Sequence, residues 1–327
     1  MKTSNPSHSK EQLISIVVPC YNEAPNIIDF YEQLRKRALL VELGYRFEII
    51  YVNDGSSDET LKKLQVLAER DKDIKVLSLS RNFGKEIATT AGIFSAMGDA
   101  VVLIDGDGQH PPELIPKFIK LWEEGYQVVI GVRESNQKEG FIKHYGSSLF
   151  YKLFNSTSDT VLIPGATDFR LFDRAVREEF IQFTERYRIT RGLIDWMGFK
   201  RTTVPFHAKE RMGGTASYKV SKLFGLALNS FVSLSMAPLY AIGYVGLFIT
   251  ALSFVSGGVV ITEQLLLGDP LNFKFSGSAM LSILVLFLVG IVLSAQGLIA
   301  IYLSHIHIQT QNRPLFIIDR KNSVNIK

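Results

Sequence analysis

Residues 47–70 read FEIIYVNDGSSDETLKKLQVLAER. Phe47–Val52 is an apolar run of strand length, rich in β-branched and aromatic side chains. Asn53-Asp54-Gly55-Ser56-Ser57 follows as a polar turn, Asp-Gly being a common turn pair. Asp58 and Glu59 suit a helix N-terminus, and a helical pattern runs on to Arg70. Outward from this stretch the same unit recurs. Ile14–Val18 precedes a helical stretch at Asn26–Leu40, Ile74–Leu79 precedes Lys85–Ala96, Ala100–Ile104 precedes Glu113–Glu123, and Gln127–Val132 closes the series. The alternation predicts an α/β fold with a doubly wound, mostly parallel sheet. Ligands of such sheets bind at the carboxyl ends of the strands. Those ends are polar here: Pro19-Cys20-Tyr21-Asn22-Glu23, Asn53–Asp58, and Asp105-Gly106-Asp107-Gly108-Gln109-His110.

Several function classes fall away at once. No G-x-G-x-x-G follows the first strand, which counts against a dinucleotide redox enzyme, and no G-x-x-x-x-G-K-[ST] appears, which counts against a phosphate-loop NTPase. A single cysteine, Cys20, excludes disulfides within the chain and multi-cysteine metal clusters, and fits a reducing compartment. The 36 Lys and Arg against 32 Asp and Glu give a net charge of +4, and nucleic acid is not an expected partner.

Charge is unevenly spread over the 327 residues: positions 231–305 hold only Glu263, Asp269 and Lys274. Forty residues without formal charge separate Lys222 from Glu263, and 38 separate Lys274 from Arg313. A bilayer core of ~30 Å needs about 20 apolar helical residues, so each run is long enough to span once. The spans are expected near 238–261 and 277–303, with Gly268-Asp269-Pro270 turning between them. Lys219 and Lys222 before the first span, and Arg313, Arg320, Lys321 and Lys327 after the second, put both ends in the cytoplasm by the positive-inside rule. Ser217–Phe231 mixes lysines with apolar residues as an interfacial helix does, though a continuation of the first span reads as well. Residues 1–12 lack the apolar region of a signal peptide and are expected to be flexible.

Asp105-x-Asp107 carries the chemistry that the missing phosphate loops do not. Two carboxylates two residues apart, on a turn leaving a strand, suit a hard divalent cation that also takes diphosphate oxygens. Such a cation offsets the charge on a departing nucleotide diphosphate. Read alone, the pattern is more often an acidic surface turn, and Asp54 has the same plain reading.

The motifs together are specific. V-V-P-C-Y-N-E (17–23), V-N-D-G-S-S-D-E-T (52–60), S-R-N-F-G-K-E (80–86), D-G-D-G-Q-H-P-P-E (105–113), G-A-T-D-F-R-L (165–171) and R-M-G-G-T-A-S-Y (211–218) resemble, in order, family 2 glycosyltransferases with a GT-A fold. The chain as a whole resembles polyisoprenyl-phosphate glycosyltransferases, most of all the bactoprenol glucosyltransferase branch. The resemblance implies a cytoplasmic GT-A domain at 13–212, a juxtamembrane segment at 213–234, two transmembrane helices within 235–305, and a C-terminal strand and tail at 306–327. It implies that Pro19, Tyr21, Glu23 and Asp54 hold the uridine. Asp105 and Asp107 would sit at the sugar nucleotide and a Mg²⁺ or Mn²⁺ ion, with Gln109 as a further ligand, and Asp168 stands at the catalytic aspartate position. Arg211 and Arg133 would grip the lipid phosphate. Relatives often read R-x-x-G-x-S-K-Y, whereas this chain ends the motif in Ala216, Ser217 and Tyr218, so the lysine expected before the tyrosine is missing; Lys219 is the candidate substitute.

The expected reaction moves glucose from UDP-glucose to undecaprenyl phosphate with inversion, at a bacterial inner membrane. Other donor sugars (mannose, an N-acetylhexosamine, an aminoarabinose derivative) stay open, as does a non-catalytic nucleotide-binding membrane protein. A phosphate monoester is mostly dianionic at neutral pH and needs little help from a base, so Asp168 is expected to orient the acceptor or balance charge. Trp122 and Trp196 are expected to pack, and Arg191–Trp196 departs from the processive-synthase box by Asp195 where that box has Arg. Arg313–Asp319 reads as a strand in need of a sheet edge; because the resembled family forms homotetramers, the expected edge is a neighbouring subunit's.

Overall fold

The computed structural model describes residues 12–36, 44–134, 163–186, 188–207 and 277–326, with Tyr244, Phe248, Ile249 and Val255. The chain divides into two units, one of residues 1–223 with 313–327 and one of residues 224–312.

The first unit is built on seven strands: β1 (Leu13–Cys20), β2 (Arg46–Asn53), β3 (Ile74–Ser78), β4 (Ala100–Leu103), β5 (Val128–Arg133), β6 (Ala166–Asp173) and β7 (Arg201–Phe206). They lie in the order β3-β2-β1-β4-β6-β5-β7. β1 to β4 are mutually parallel, β5 and β7 are parallel, and β6 runs antiparallel between β4 and β5. The sheet is therefore mixed and mostly parallel, and the five sequence-expected strands each appear within two residues at either end. β6 and β7 are additions to that expectation.

The helices of this unit are α1 (Ile27–Leu34), α2 (Thr60–Arg70), α3 (Lys85–Ser95), α4 (Ile115–Glu123), α5 (Arg174–Phe180) and α6 (Thr190–Trp196). Ile27, Phe30 and Leu34 of α1, Leu64 and Leu67 of α2, and Phe118 and Ile119 of α4 pack on one face of the sheet. Ala88 and Ala91 of α3, Val176 and Phe180 of α5, and Leu193 and Ile194 of α6 cover the other. Burying both faces explains why β1 and β4 read as continuous apolar runs rather than alternating ones. The helix expected at Asn26–Leu40 ends as α1 at Leu34; residues 37–43 lie outside the described ones.

Trp122 packs as expected, near Tyr45 and with its indole N–H donating to Asp173 at 2.7 Å. Trp196 does not: 57 % of it is exposed, and Phe183 meets its ring edge-on at 5.8 Å. Asp195 is buried beside Arg170 and Arg201, at 3.5 and 3.4 Å.

The C-terminal segment corrects the expectation of docking on another subunit. Residues 313–326 bind the β3 edge of their own sheet through two antiparallel bridges, Leu79 with Ile318 and Val76 with Val324. The free N–H and C=O groups along β3 supply the edge that this segment needs, within the same chain.

In the second unit, α7 (Gly277–Thr310) is 34 residues long and runs to Thr310 rather than ending near Leu303. Judged over the described residues, no helix is long and apolar enough to cross a membrane. The expected span at 238–261 lies outside them but for four residues, as do the side chains of many apolar positions in α7. The segment 213–234 also lies outside the described residues.

Candidate active site

Backbone register assembles the centre of the site. β4 pairs antiparallel with β6, with Leu103 opposite Arg170. Two residues further along the same register, Asp105 comes opposite Asp168. An all-parallel sheet would carry the start of this strand to the far edge; the reversal of β6 is what brings Asp168 to the carboxyl ends of β1 to β4. Between the two carboxylates lies the ammonium of Lys85, the first residue of α3. Its Nζ is 2.8 Å from Asp105 and 2.8 Å from Oδ2 of Asp168.

The environment fixes their charges. Burial pushes the Asp168 carboxyl up, but Lys85, with Arg191 and Arg170 behind it, outweighs burial and holds its pKa at about 2. Burial likewise opposes the charge on Lys85, and Asp105 and Asp168 together raise its pKa well above the usual lysine value. The Asp168 carboxylate and the Lys85 ammonium are thus ionised at neutral pH.

The turn after β4 is held from below. The Asp105 backbone N–H donates to Nδ1 of His110 at 3.2 Å. The His110 ring stacks on Phe169 with centroids 5.3 Å apart and meets Phe206 edge-on at 5.8 Å. Burial lowers the pKa of this histidine, which keeps it neutral and able to accept that bond. Asp107 Oδ1 accepts from the Gln109 N–H at 3.0 Å, and Gly108 takes the positive φ of 76° that the turn requires.

Two cavities meet at Asp105. One, of about 320 Å³, is lined by Pro19, Tyr21, Glu23, Asp54, Lys85 and Asp107 among others. All the residues expected to hold the donor nucleotide are on it. The second, of about 210 Å³, is lined by Gln109, His110, Arg133, Asp168 and Arg191 among others. Asp105 lines both. Gln109 falls on the second cavity with Arg133, away from the first. Arg211 and Lys219 lie outside the described residues.

Asp54 has a structural duty besides any contact with a nucleotide. It is 2 % exposed, and its two oxygens accept the backbone N–H groups of Phe83 and Gly84 at 2.7 and 2.9 Å. Burial raises its pKa against those two bonds. It thereby anchors the loop that delivers Lys85. The first two strand ends are stitched to each other as well: Asn22 N–H donates to Ser56 Oγ at 3.0 Å, and Glu23 N–H to Thr60 Oγ1 at 2.9 Å.

Sequence reasoning assigned no role to Lys85, His110 or Arg191. Lys85 and His110 stand inside motifs quoted for other reasons, and a lysine opening the helix after the third strand was the available signal. Arg191 is positioned through α6, whose Thr190 donates from its N–H and Oγ1 to Glu86 at 2.8 and 2.7 Å.

The donor set suits a divalent cation of the hard kind. Asp105 and Asp107 are two oxygen ligands on one cavity, and among the described residues no group of three His, Cys, Asp or Glu side chains forms a complete metal cluster. Two carboxylates that leave further positions open suit a hard divalent cation rather than a closed zinc site.

Comparison with known proteins shows the family and the fold. The family model described as Glycosyl transferase family 2 matches residues 15–181. An uncharacterized glycosyltransferase of Synechocystis is 38 % identical over 305 residues, covering 93 % of this chain and 94 % of its own. A prophage-derived bactoprenol glucosyl transferase of Shigella flexneri is 36 % identical over 312 residues, covering 95 % and 99 %. Among solved structures, mannosyl-3-phosphoglycerate synthase from Rubrobacter xylanophilus shares the fold, with a TM-score of 0.50, 20 % identity, and coverage of 67 % of this chain and 71 % of that one.

Proposed function

The chain belongs to glycosyl transferase family 2 and is a glycosyltransferase; from that premise we propose that it transfers glucose from UDP-glucose to undecaprenyl phosphate at the membrane, inverting the sugar carbon. The observation that carries the reading is Asp105 at the junction of two cavities, with Asp168 across from it in the second. The donor's uridine lies against Pro19, Tyr21, Glu23 and Asp54, and its diphosphate reaches Asp105 and Asp107. A Mg²⁺ or Mn²⁺ ion held there neutralises charge on the departing diphosphate.

The acceptor phosphate enters from the second cavity, toward Arg133 and Arg191, with Arg211 supplied from the end of the catalytic domain and Lys219 from the juxtamembrane segment. An acceptor oxygen forms its bond to the sugar carbon as the bond from that carbon to the diphosphate breaks, and UDP leaves. The single displacement inverts the centre. A carboxyl with a pKa of about 2 is a poor proton acceptor at neutral pH. Asp168 therefore orients the acceptor and balances charge, and the dianionic phosphate acts without a base.

The apolar runs on either side of residues 262–276 support two membrane spans, with the catalytic unit and both ends on the cytoplasmic face of a bacterial inner membrane. That arrangement places the acceptor's headgroup within reach of the enzyme. A homotetramer is carried as part of this reading, though the sheet needs no second subunit to cover β3.

The test is direct. Detergent-purified protein is incubated with undecaprenyl phosphate, Mg²⁺ or Mn²⁺, and a panel of UDP- and GDP-sugars, and lipid-linked sugar is read by mass spectrometry with Asp107→Ala as control. Product from UDP-glucose alone, lost in the variant, is the expected result. Product from another donor keeps the chemistry and replaces the sugar. Nucleotide binding with no product from any donor overturns the reading.

A further inference from the structure

Lys85 makes an arrangement that the reaction cannot keep. Its ammonium lies 2.8 Å from both oxygens of Asp105 and 2.8 Å from Oδ2 of Asp168. Asp105 is also the residue common to the donor and acceptor cavities and one of the two carboxylates suited to a divalent cation. A carboxylate whose two oxygens both face an ammonium offers a metal ion only its remaining lone pairs, and two positive charges held that close repel each other. The cation therefore competes with Lys85 for Asp105.

Displacement without a new partner is unfavourable. Asp105 and Asp168 lie two residues beyond the last β4–β6 pair, and Lys85 is the positive group in contact with both. A nucleoside diphosphate supplies the new partner. Lys85 lines the donor cavity with Asp107 and stands at the first position of α3, at the end of a four-carbon stem whose side chain is 48 % exposed. An ammonium with three donors and a flexible stem is able to turn from Asp105 to a phosphate oxygen while one donor stays on Asp168.

We propose that Lys85 is a positioning residue that occupies Asp105 until donor arrives, so that the divalent cation binds only together with the nucleoside diphosphate, whose phosphate then takes over the lysine. The inference rests on the proposed function for the identity of the donor site. Its consequence is thermodynamic: nucleotide and cation strengthen each other's binding by the same factor, and that factor passes through Lys85. It also keeps Asp105 and Asp168 from repelling each other in the resting enzyme.

The experiment titrates Mn²⁺ into the full-length protein, followed by the loss of the free-ion electron paramagnetic resonance signal, with and without UDP. In the wild-type protein Mn²⁺ should bind weakly alone and more tightly with UDP. Lys85→Met should raise the affinity for Mn²⁺ alone by on the order of tenfold, reduce the UDP-dependent gain by a similar factor, and lower kcat. Lys85→Arg keeps the charge and should leave Mn²⁺ binding weak in the absence of UDP. A gain in metal affinity cannot come from a misfolded variant, which separates this role from a merely structural one. Unchanged affinity for Mn²⁺ alone in Lys85→Met, with normal joint binding of Mn²⁺ and UDP in the wild type, overturns this proposal and leaves the proposed function intact. Absence of Mn²⁺ binding in every form, with or without UDP, overturns the cation site and this proposal with it.

Discussion

Gly55 shows how one residue couples the donor cavity to the fold. It follows Asp54 at the end of β2 with φ of +65°, and a Cβ built there would lie 2.4 Å from the backbone carbon of Arg81. The loop of residues 81–84 rests directly on this glycine, while Asp54 accepts the N–H groups of Phe83 and Gly84 from the same loop. The left-handed backbone alone disfavours a side chain by ~1–2 kcal/mol, and the contact is with backbone, which has no rotamer to yield. Gly55→Ala should therefore push the loop away, take Lys85 with it, and weaken UDP binding by about tenfold or more in a protein that still melts cooperatively. Wild-type UDP affinity in isothermal titration would show that the loop is not held this way. Asp-Gly was legible in the sequence as a turn, and Asp54 as a site residue. What the glycine makes room for was not, because residues 81 and 82 are distant in the chain and reach it only in three dimensions.

At the scale of elements, α3 carries the argument from packing to chemistry. A Cβ on Gly92 would lie 2.3 Å from Val17 Cγ1 and 3.0 Å from Val52 Cγ2, so α3 lies on β1 and β2 with its backbone in near contact. Lys85 opens this helix and Glu86 ties it to α6. Gly92→Leu would overpack that contact at a cost of about 1–3 kcal/mol. It would also lift the helix and misplace Lys85, so kcat should fall together with the melting temperature. A variant with lowered stability but unchanged kcat would separate the two. The parallel strands were readable because burial on both faces writes each as an apolar run of its own. β6 was not, since Ala166–Asp173 interleaves Asp168 and Arg170 with apolar residues, and Arg170 is fully buried despite its charge. Its direction was beyond reading too: orientation is a property of the pairing, and the pairing of Leu103 with Arg170 is what sets Asp168 across from Asp105.

For the whole molecule the decisive fact is that the first unit is discontinuous: residues 313–327 return to it after the 224–312 unit. The return is a specific one. Val76 and Val324 exchange two backbone hydrogen bonds at 2.9 Å, Asp319 N–H donates to Ser78 O at 2.8 Å, and Ser80 N–H donates to Ile317 O at 2.9 Å. Asn325 donates from Nδ2 to the carbonyls of Ala68 and Ile74 at 3.1 and 2.8 Å, and Phe316 meets Phe94 of α3 edge-on at 5.9 Å. The sequence showed a strand wanting an edge, but an edge in the same chain and one in a neighbour satisfy the same hydrogen bonds, so the choice between them was not in the residues. With each net hydrogen bond contributing about 0.5–1.5 kcal/mol, these six bonds contribute roughly 3–9 kcal/mol. A chain cut after residue 223 loses this cover along with the second unit. It should melt roughly 6–36 °C below the same chain carrying residues 313–327 on a flexible glycine-serine linker, at about 2–4 °C per kcal/mol for a unit of this size. It should also aggregate through the opened β3 edge. Equal melting temperatures for the two chains would mean that this edge is covered some other way, and would return the segment to a neighbouring subunit.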